Sequence, residues 1–212
     1  LGCGDGTMTL EFADLVPQGS VLGIDASQGM IKEAKNLETQ NCKFQLLDID
    51  DIEFVEEFDI IVSNATLHWV KNHDGLIKNC YRALKKGGFI RFNFAGRGNC
   101  EYLISVLKQL IQQEKYKSYF EDFDWPWYMP EKDEYLLKIQ QSDFKNIKIS
   151  EWPYDKYFED LESLVAWIDQ PGIVPFMQHL HDMKIKNAFR TDVIDSMKKL
   201  CKQPDGKYPE KF

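Results

Sequence analysis

The sequence predicts an α/β fold: a doubly wound, mostly parallel sheet with helices on both faces, joined to a helical, aromatic-rich cap. Three observations carry that prediction. Over residues 1–94, short apolar runs alternate with segments of helical period, the rhythm of βαβ units. FDIIV at 58–62 is apolar almost throughout, as a strand buried on both faces should be. Polar residues close several consecutive predicted strands, on the sheet edge where α/β proteins bind ligands.

The elements follow in order. LGCGDG at 1–6 is a tight glycine loop that opens a helix over 6–15. SVLGI at 20–24 is a strand, ended by Asp25 and followed by a helix over 27–37. KFQLL at 43–47 and FDIIV are the next strands, and residues 73–84 have helical period. Gly87-Gly88, after two lysines, suits a helix stop and a turn into GFIRFNF at 88–94. The second half reads differently. A helix is predicted over 99–116, then EDFDWPWYMP at 121–130, where proline excludes regular structure. A helix over 131–140 and a strand at 146–152 (NIKISEW) come next. From 160 the pattern is helical, broken by Pro171-Gly172 and by Pro175. The last helix spans 191–202, with Val193, Ile194, Met197, Leu200 and Cys201 on one stripe. The simplest organisation is one domain over 1–212: a core at 1–94 and, over 95–212, cap helices with a late strand.

Composition excludes several classes. The net charge of −8 argues against broad binding of a nucleic-acid backbone, which needs Lys and Arg on one face. Cys3, Cys42, Cys80, Cys100 and Cys201 are odd in number and form no CxxC pair, which fits a reduced, cytoplasmic protein and neither a disulfide framework nor a metal site. No apolar run approaches the ~18 residues of a membrane span.

The glycine loop reads G-x-G-x-G, with Thr7 where a dinucleotide loop has its third glycine. No phosphate loop of the NTPase type is present. Asp5 at the tip is a poor host for pyrophosphate and a suitable one for a cationic amino-acid group. Asp25, about 20 residues on, is placed to accept both ribose hydroxyls. Asp48 in LLDID is placed to accept from an adenine amino group, and SNATLHWV at 63–70 follows the third strand.

This pattern resembles the class I S-adenosylmethionine-dependent methyltransferases. LGCGDG is similar to their first motif, GIDASQGM to the second, LLDIDD to the third, and IVSNATLHWV to the motif after the fourth strand. LKKGGFIRF is similar to the turn and strand that follow. The stretch SNATLHWV…LKKGGF and the later EWPYDKYFEDLESLVAWIDQPGIVPFMQHL resemble the small-molecule group that includes the trans-aconitate and juvenile-hormone-acid methyltransferases. The resemblance implies a Rossmann-like sheet, with a first strand before the glycine loop and a last strand after Phe212, both outside these 212 residues.

The resemblance also implies roles. The backbone of Gly2, Cys3, Gly4 and Gly6 would approach the methionine part of S-adenosylmethionine, with Asp5 towards its ammonium. Asp25 would hold the ribose. Ala26 and Met30 would pack near the adenine, Asp48 would meet its amino group, and Ile49 would offer its backbone amide. Asn64 and Ala65 would line the methyl side. S-adenosylhomocysteine would be the product. His68 and Trp69 are placed to face the acceptor; a lone histidine is more often a structural group satisfied by a carbonyl, and His68 reads otherwise as a contact or, less readily, as a base. Arg97 in FAGRGN suits bidentate pairing with a substrate carboxylate. Trp125, Trp127, Tyr128 and Trp167 read either as a water-excluding cap or as core packing. His179 and His181 lack metal-like partners and are assigned no role.

A carboxylate acceptor is ionised at neutral pH and needs no base, whereas an alcohol or phenol needs one. With His68 the sole obvious base and Arg97 near the predicted cleft, the expectation is O-methylation of a small-molecule carboxylate. Three rivals are weighed. Thr7 counts against an NAD-dependent oxidoreductase. The acidic balance, and NATL at 64–67 in place of an Asn-Pro-Pro-aromatic motif, count against a nucleic-acid methyltransferase. A non-catalytic module that binds S-adenosylmethionine would be favoured by a cap leaving no cavity beside the methyl. Oligomeric state is not legible.

Overall fold

The computed structural model describes every residue except Pro171, so the break expected there lies outside the described residues. The chain divides into two compact units, one of Leu1–Gly96 with Trp127–Ser150, the other of Arg97–Pro126 with Glu151–Phe212.

The first unit alternates helix and strand: α1 (Thr7–Leu15), β1 (Val21–Asp25), α2 (Gln28–Ala34), β2 (Cys42–Leu46), β3 (Phe58–Asn64), α3 (His73–Ala83) and β4 (Leu84–Asn93), with α5 (Lys132–Gln140) returning later. β1 pairs with β2 and β3 with β4, both in parallel. Residues 1–3 run between the two pairs. The Cys3 amide donates to Ile24 O (2.9 Å), the Leu1 nitrogen to Val62 O (2.6 Å), and Ser63 Oγ to Leu1 O (3.0 Å). Helix starts follow from capping residues: the Ser27 side chain accepts from the Met30 amide and Asn72 from the Gly75 amide. One cluster of Ile24, Ile61, Leu67, Leu76 and Cys80 packs α3 on β1 and β3; another joins Ala13, Ile31, Ala34 and Phe44.

Three expectations for this half change. FDIIV is buried on one face: Ile61 is covered, whereas Ile60 is 49% exposed and stands in register with Phe89, 53% exposed. The run looks uniformly apolar, so its pattern cannot tell one covered face from two. α3 stops at Ala83 without a turn; the Lys-Lys-Gly-Gly stretch lies inside β4, where the register against β3 shifts. His68 and Trp69 lie on a single 3-10 turn, Leu67–Trp69, and the next helix starts at His73, where the period over 73–84 places it. NIKISEW has the side-chain alternation of a strand, with Ile147 and Ile149 partly covered against Ile77, Tyr135 and Ile139. The ladder itself begins later, at Asp155.

The second unit holds α4 (Glu101–Leu110), β5 (Asp155–Phe158), α6 (Leu161–Ile168), α7 (Val174–His179), α8 (Met183–Cys201) and β6 (Tyr208–Lys211), with β5 and β6 antiparallel. The helix expected over 99–116 ends at Leu110, because the stripe of Leu103, Val106, Leu107 and Leu110 runs into Gln113 and Glu114. Pro175 falls in the first turn of α7, where its missing N–H costs nothing. The last helix starts eight residues earlier than expected, at an Asp182 cap. Its buried stripe is Phe189, Val193, Met197 and Cys201, and Leu200 is exposed. Among the described residues no helix is long and apolar enough to cross a membrane.

α4 lacks a local side-chain cap; Cys100 precedes it in a left-handed conformation. Fully buried Glu210 supplies the cap from β6, accepting from the amides of Tyr102 (2.9 Å), Leu103 (2.9 Å) and Lys211 (3.0 Å). Burial pushes this carboxyl up and the three N–H groups pull it down, the burial effect prevailing. Glu210→Ala leaves those amides unsatisfied and is expected to destabilise the unit by about 2–4 kcal/mol, with Glu210→Gln losing only part of that. Chemical denaturation measures it; an unchanged midpoint for Glu210→Ala contradicts the capping role.

Candidate active site

The loop of residues 1–6 ends where α1 begins, and β1 ends beside it at Asp25. The two are tied by the carboxylate: Asp25 Oδ2 accepts from the Gly4 amide (2.9 Å) and Oδ1 from the Ser27 amide (2.8 Å). A carboxylate has about four lone-pair positions, so each oxygen keeps one for a ligand hydroxyl. A side chain at Gly4 would meet nothing within 4 Å, which leaves the loop tip open next to Asp25. The residues present therefore fit a ribose-bearing cofactor: open backbone on one side, a half-buried carboxylate on the other.

The neighbours fall as follows. Asp5 is exposed and accepts from the Thr7 amide (3.0 Å), a hydrogen bond that holds its carboxyl below the usual range. Burial, reinforced by Asp25, pushes the Cys3 thiol up to about 11, so it stays protonated and unreactive at neutral pH. Ala26 is exposed, and Met30 on α2 is 47% exposed, so it is no core residue. Asp48 is exposed after β2 and accepts from the Asp50 amide (3.0 Å). Ile49 is buried in the core below it.

At the end of β3, Asn64 Oδ1 accepts from Asn93 Nδ2 (2.8 Å), and the Ala65 amide donates to Asn93 O (2.8 Å). Ala65 adopts φ +55°, a left-handed conformation that costs a non-glycine residue roughly 1 kcal/mol or more and that clusters at functional sites. Thr66 Oγ1 donates to Gly2 O (3.2 Å), joining this loop to the glycine loop. Asn93 and Thr66 are not singled out by sequence reasoning. Asn93 carries a signal all the same, since it closes one more parallel strand.

The Leu67–Trp69 turn carries His68 and Trp69. His68 is mostly buried and its Nδ1 has no hydrogen-bond partner; burial pulls the imidazole down to about 4. Trp69 is 37% exposed and meets the Trp127 ring edge-on at 5.7 Å. Trp127 is thus a packing partner in the first unit. Tyr128 packs at a tilt against His73, ring centres 4.7 Å apart. In the second unit, Trp125 packs on Phe176 and Trp167 on Phe158. Arg97 also lies in the second unit, lining a cavity of about 410 Å³ with Glu101, Tyr154, Asp155 and Lys211. His179 stacks on Phe120.

Residues 1–92 match a family model described as a methyltransferase domain. The chain is 24% identical over 173 residues to the malonyl-[acyl-carrier protein] O-methyltransferase of Bacillus cereus, covering 81% of this chain and 63% of that protein. It therefore spans less than two thirds of that relative's length. Over 90 residues it is 36% identical to the trans-aconitate 2-methyltransferase of Deinococcus radiodurans, covering 42% of this chain and 34% of that protein. Its fold aligns with the crystal structure of a provisionally assigned methyltransferase from Bacillus halodurans at a TM-score of 0.59 and 18% identity, covering 99% of this chain and 85% of that one. The parallel strand pairs, the open glycine loop tied to Asp25 and these likenesses agree: residues 1–92 match a methyltransferase domain, and the chain has the Rossmann-like fold of the class I methyltransferases.

Proposed function

We propose that this protein methylates the carboxylate of a small molecule. S-adenosylmethionine, when bound, supplies a methyl group on a sulfonium that is already a good leaving group, so the protein's task is to bind, align and exclude water. Asp25 holds the ribose hydroxyls with its two remaining lone pairs. The backbone of Gly2, Cys3, Gly4 and Gly6 receives the methionine part, with Asp5 towards its ammonium. Ala26, Met30, Asp48 and the Ile49 amide receive the adenine. Asn64 and Ala65 line the methyl side, and His68 and Trp69 face the acceptor. Arg97 recognises an acceptor carboxylate, and residues 95–212 as a whole select the acceptor.

One observation carries the choice of acceptor. His68 is the only titratable side chain in residues 64–69. Its Nδ1 has no partner to orient it, and burial holds the ring neutral with a pKa of about 4. A general base works best with a pKa near the operating pH and an orienting partner. His68 has neither, so this loop serves an acceptor that arrives ionised. Two relatives carry names of acceptors that bear carboxylates, malonyl-carrier protein and trans-aconitate.

The test is a screen of di- and tricarboxylic acids against matched alcohols and phenols, with S-adenosylhomocysteine release as the readout. The expected outcome is turnover of a free acid, none of its methyl ester, and a rate flat between about pH 6 and pH 9. An acid of pKa near 4 is fully ionised above pH 6, and His68 is neutral throughout that window, so neither group changes charge across it. Turnover confined to a hydroxyl acceptor, with a rate climbing as pH rises, would falsify the proposal.

A further inference from the structure

His73 is fully buried at the start of α3, and both of its ring nitrogens are engaged. Nε2 lies 2.9 Å from Leu67 O, and Nδ1 lies 2.9 Å from Tyr135 Oη on α5. A carbonyl oxygen only accepts, so Nε2 must carry the proton. Nδ1 is then the acceptor and the Tyr135 hydroxyl the donor. One tautomer satisfies both contacts. The ring is boxed by Phe94, Tyr128 and Tyr135, with centres 5.4, 4.7 and 5.3 Å away. The next carbonyl of the same turn, His68 O, accepts from the Tyr128 amide (2.8 Å). Two consecutive carbonyls of Leu67–Trp69 are therefore held by groups outside the turn. Trp127, beside Tyr128, packs on Trp69.

We propose that His73 is a positioning residue, held by Tyr135, that fixes the Leu67–Trp69 turn and thereby the placement of His68 and Trp69. This rests on the reading that residues 64–69 face the acceptor. A 3-10 turn has poor internal hydrogen-bond geometry, and this one rests on two internal bonds, the Trp69 amide to Thr66 O (2.9 Å) and the Val70 amide to Leu67 O (3.0 Å). The fixed point comes from His73, whose ring cannot rotate without breaking both bonds.

The first measurement is the ¹⁵N spectrum of His73 in the unaltered protein. The expected result is a neutral ring protonated on Nε2; protonation on Nδ1 overturns the proposal, because Leu67 O could not then be held. The second is amide exchange at Val70 in two variants. In His73→Gln the glutamine side chain can place an amide donor where Nε2 stood, so exchange is expected to stay within roughly threefold of the parent. His73→Leu is expected to speed it roughly tenfold or more relative to the amides of β1 and β2. Equal exchange in both variants, with β1 and β2 as reference, leaves His73 as a packing residue only and overturns the positioning role. Both readouts need no ligand, so they are decided independently of whether the protein binds S-adenosylhomocysteine.

Discussion

Replacing Asp25 with alanine is expected to weaken S-adenosylhomocysteine binding by roughly a hundredfold or more. The carboxylate sits at the end of β1, with one lone pair on each oxygen spent on the Gly4 and Ser27 amides. In the proposed site the other two accept the ribose hydroxyls. Hydrogen bonds to a charged group contribute about 1.5–3 kcal/mol each, and losing two gives about 3 kcal/mol or more. The variant also removes the Gly4 tie between the glycine loop and β1, leaving the Cys3 amide on Ile24 O, so the loop tip itself loosens. The stability cost is smaller, since both amides border solvent and water can take the place of the carboxylate. Asp25→Asn retains one carbonyl acceptor and should fall between. Isothermal titration settles the matter. A dissociation constant within twofold of the parent for Asp25→Ala would mean that the carboxylate serves the loop alone.

A large loss of stability is expected at Gly6. Its φ is +88°, a conformation that L side chains rarely adopt. A Cβ there would stand 2.7 Å from the Phe44 ring and 2.9 Å from the Ala34 methyl. Phe44 is 5% exposed and Ala34 fully buried, in the cluster that joins α2 to β2. Neither neighbour has room to withdraw. Gly6→Ala combines backbone strain of about 1 kcal/mol with overpacking of about 1–3 kcal/mol. A midpoint drop of about 5–15 °C is expected at roughly 2–4 °C per kcal/mol. Gly4→Ala is the control: its φ is +56°, but its Cβ meets nothing. It should cost only the strain. Equal melting temperatures for the two variants would contradict this packing account.

Features encoded within a short stretch of chain are legible in the sequence, and those made by distant partners are not. Asp25 is legible because a strand, its terminal carboxylate and a glycine loop lie within about 20 residues. Ser27 announces its helix because a cap acts on the amide three residues on. The His73–Tyr135 pair spans 62 residues, and no local pattern marks either member. Glu210 caps a helix 108 residues away and reads in sequence as one more surface acid. β5 lies later than the alternating run suggests for a related reason: period two is present at Ile147 and Ile149, but a ladder forms only where a partner lies, opposite Tyr208–Lys211. Ile60 shows the limit of composition, since nothing in FDIIV distinguishes a covered face from an open one. The meeting of Asp25 with the glycine loop is thus readable, whereas the contacts that hold the 64–69 loop are not.

The most direct test of the central claim is calorimetric titration of the protein with S-adenosylhomocysteine, with NAD as the comparison ligand. The proposed cofactor site at residues 1–6, Asp25 and Asp48 predicts saturable one-site binding of the first and none of the second. A folded protein that takes up no S-adenosylhomocysteine would contradict the account and leave the glycine loop as scaffold alone.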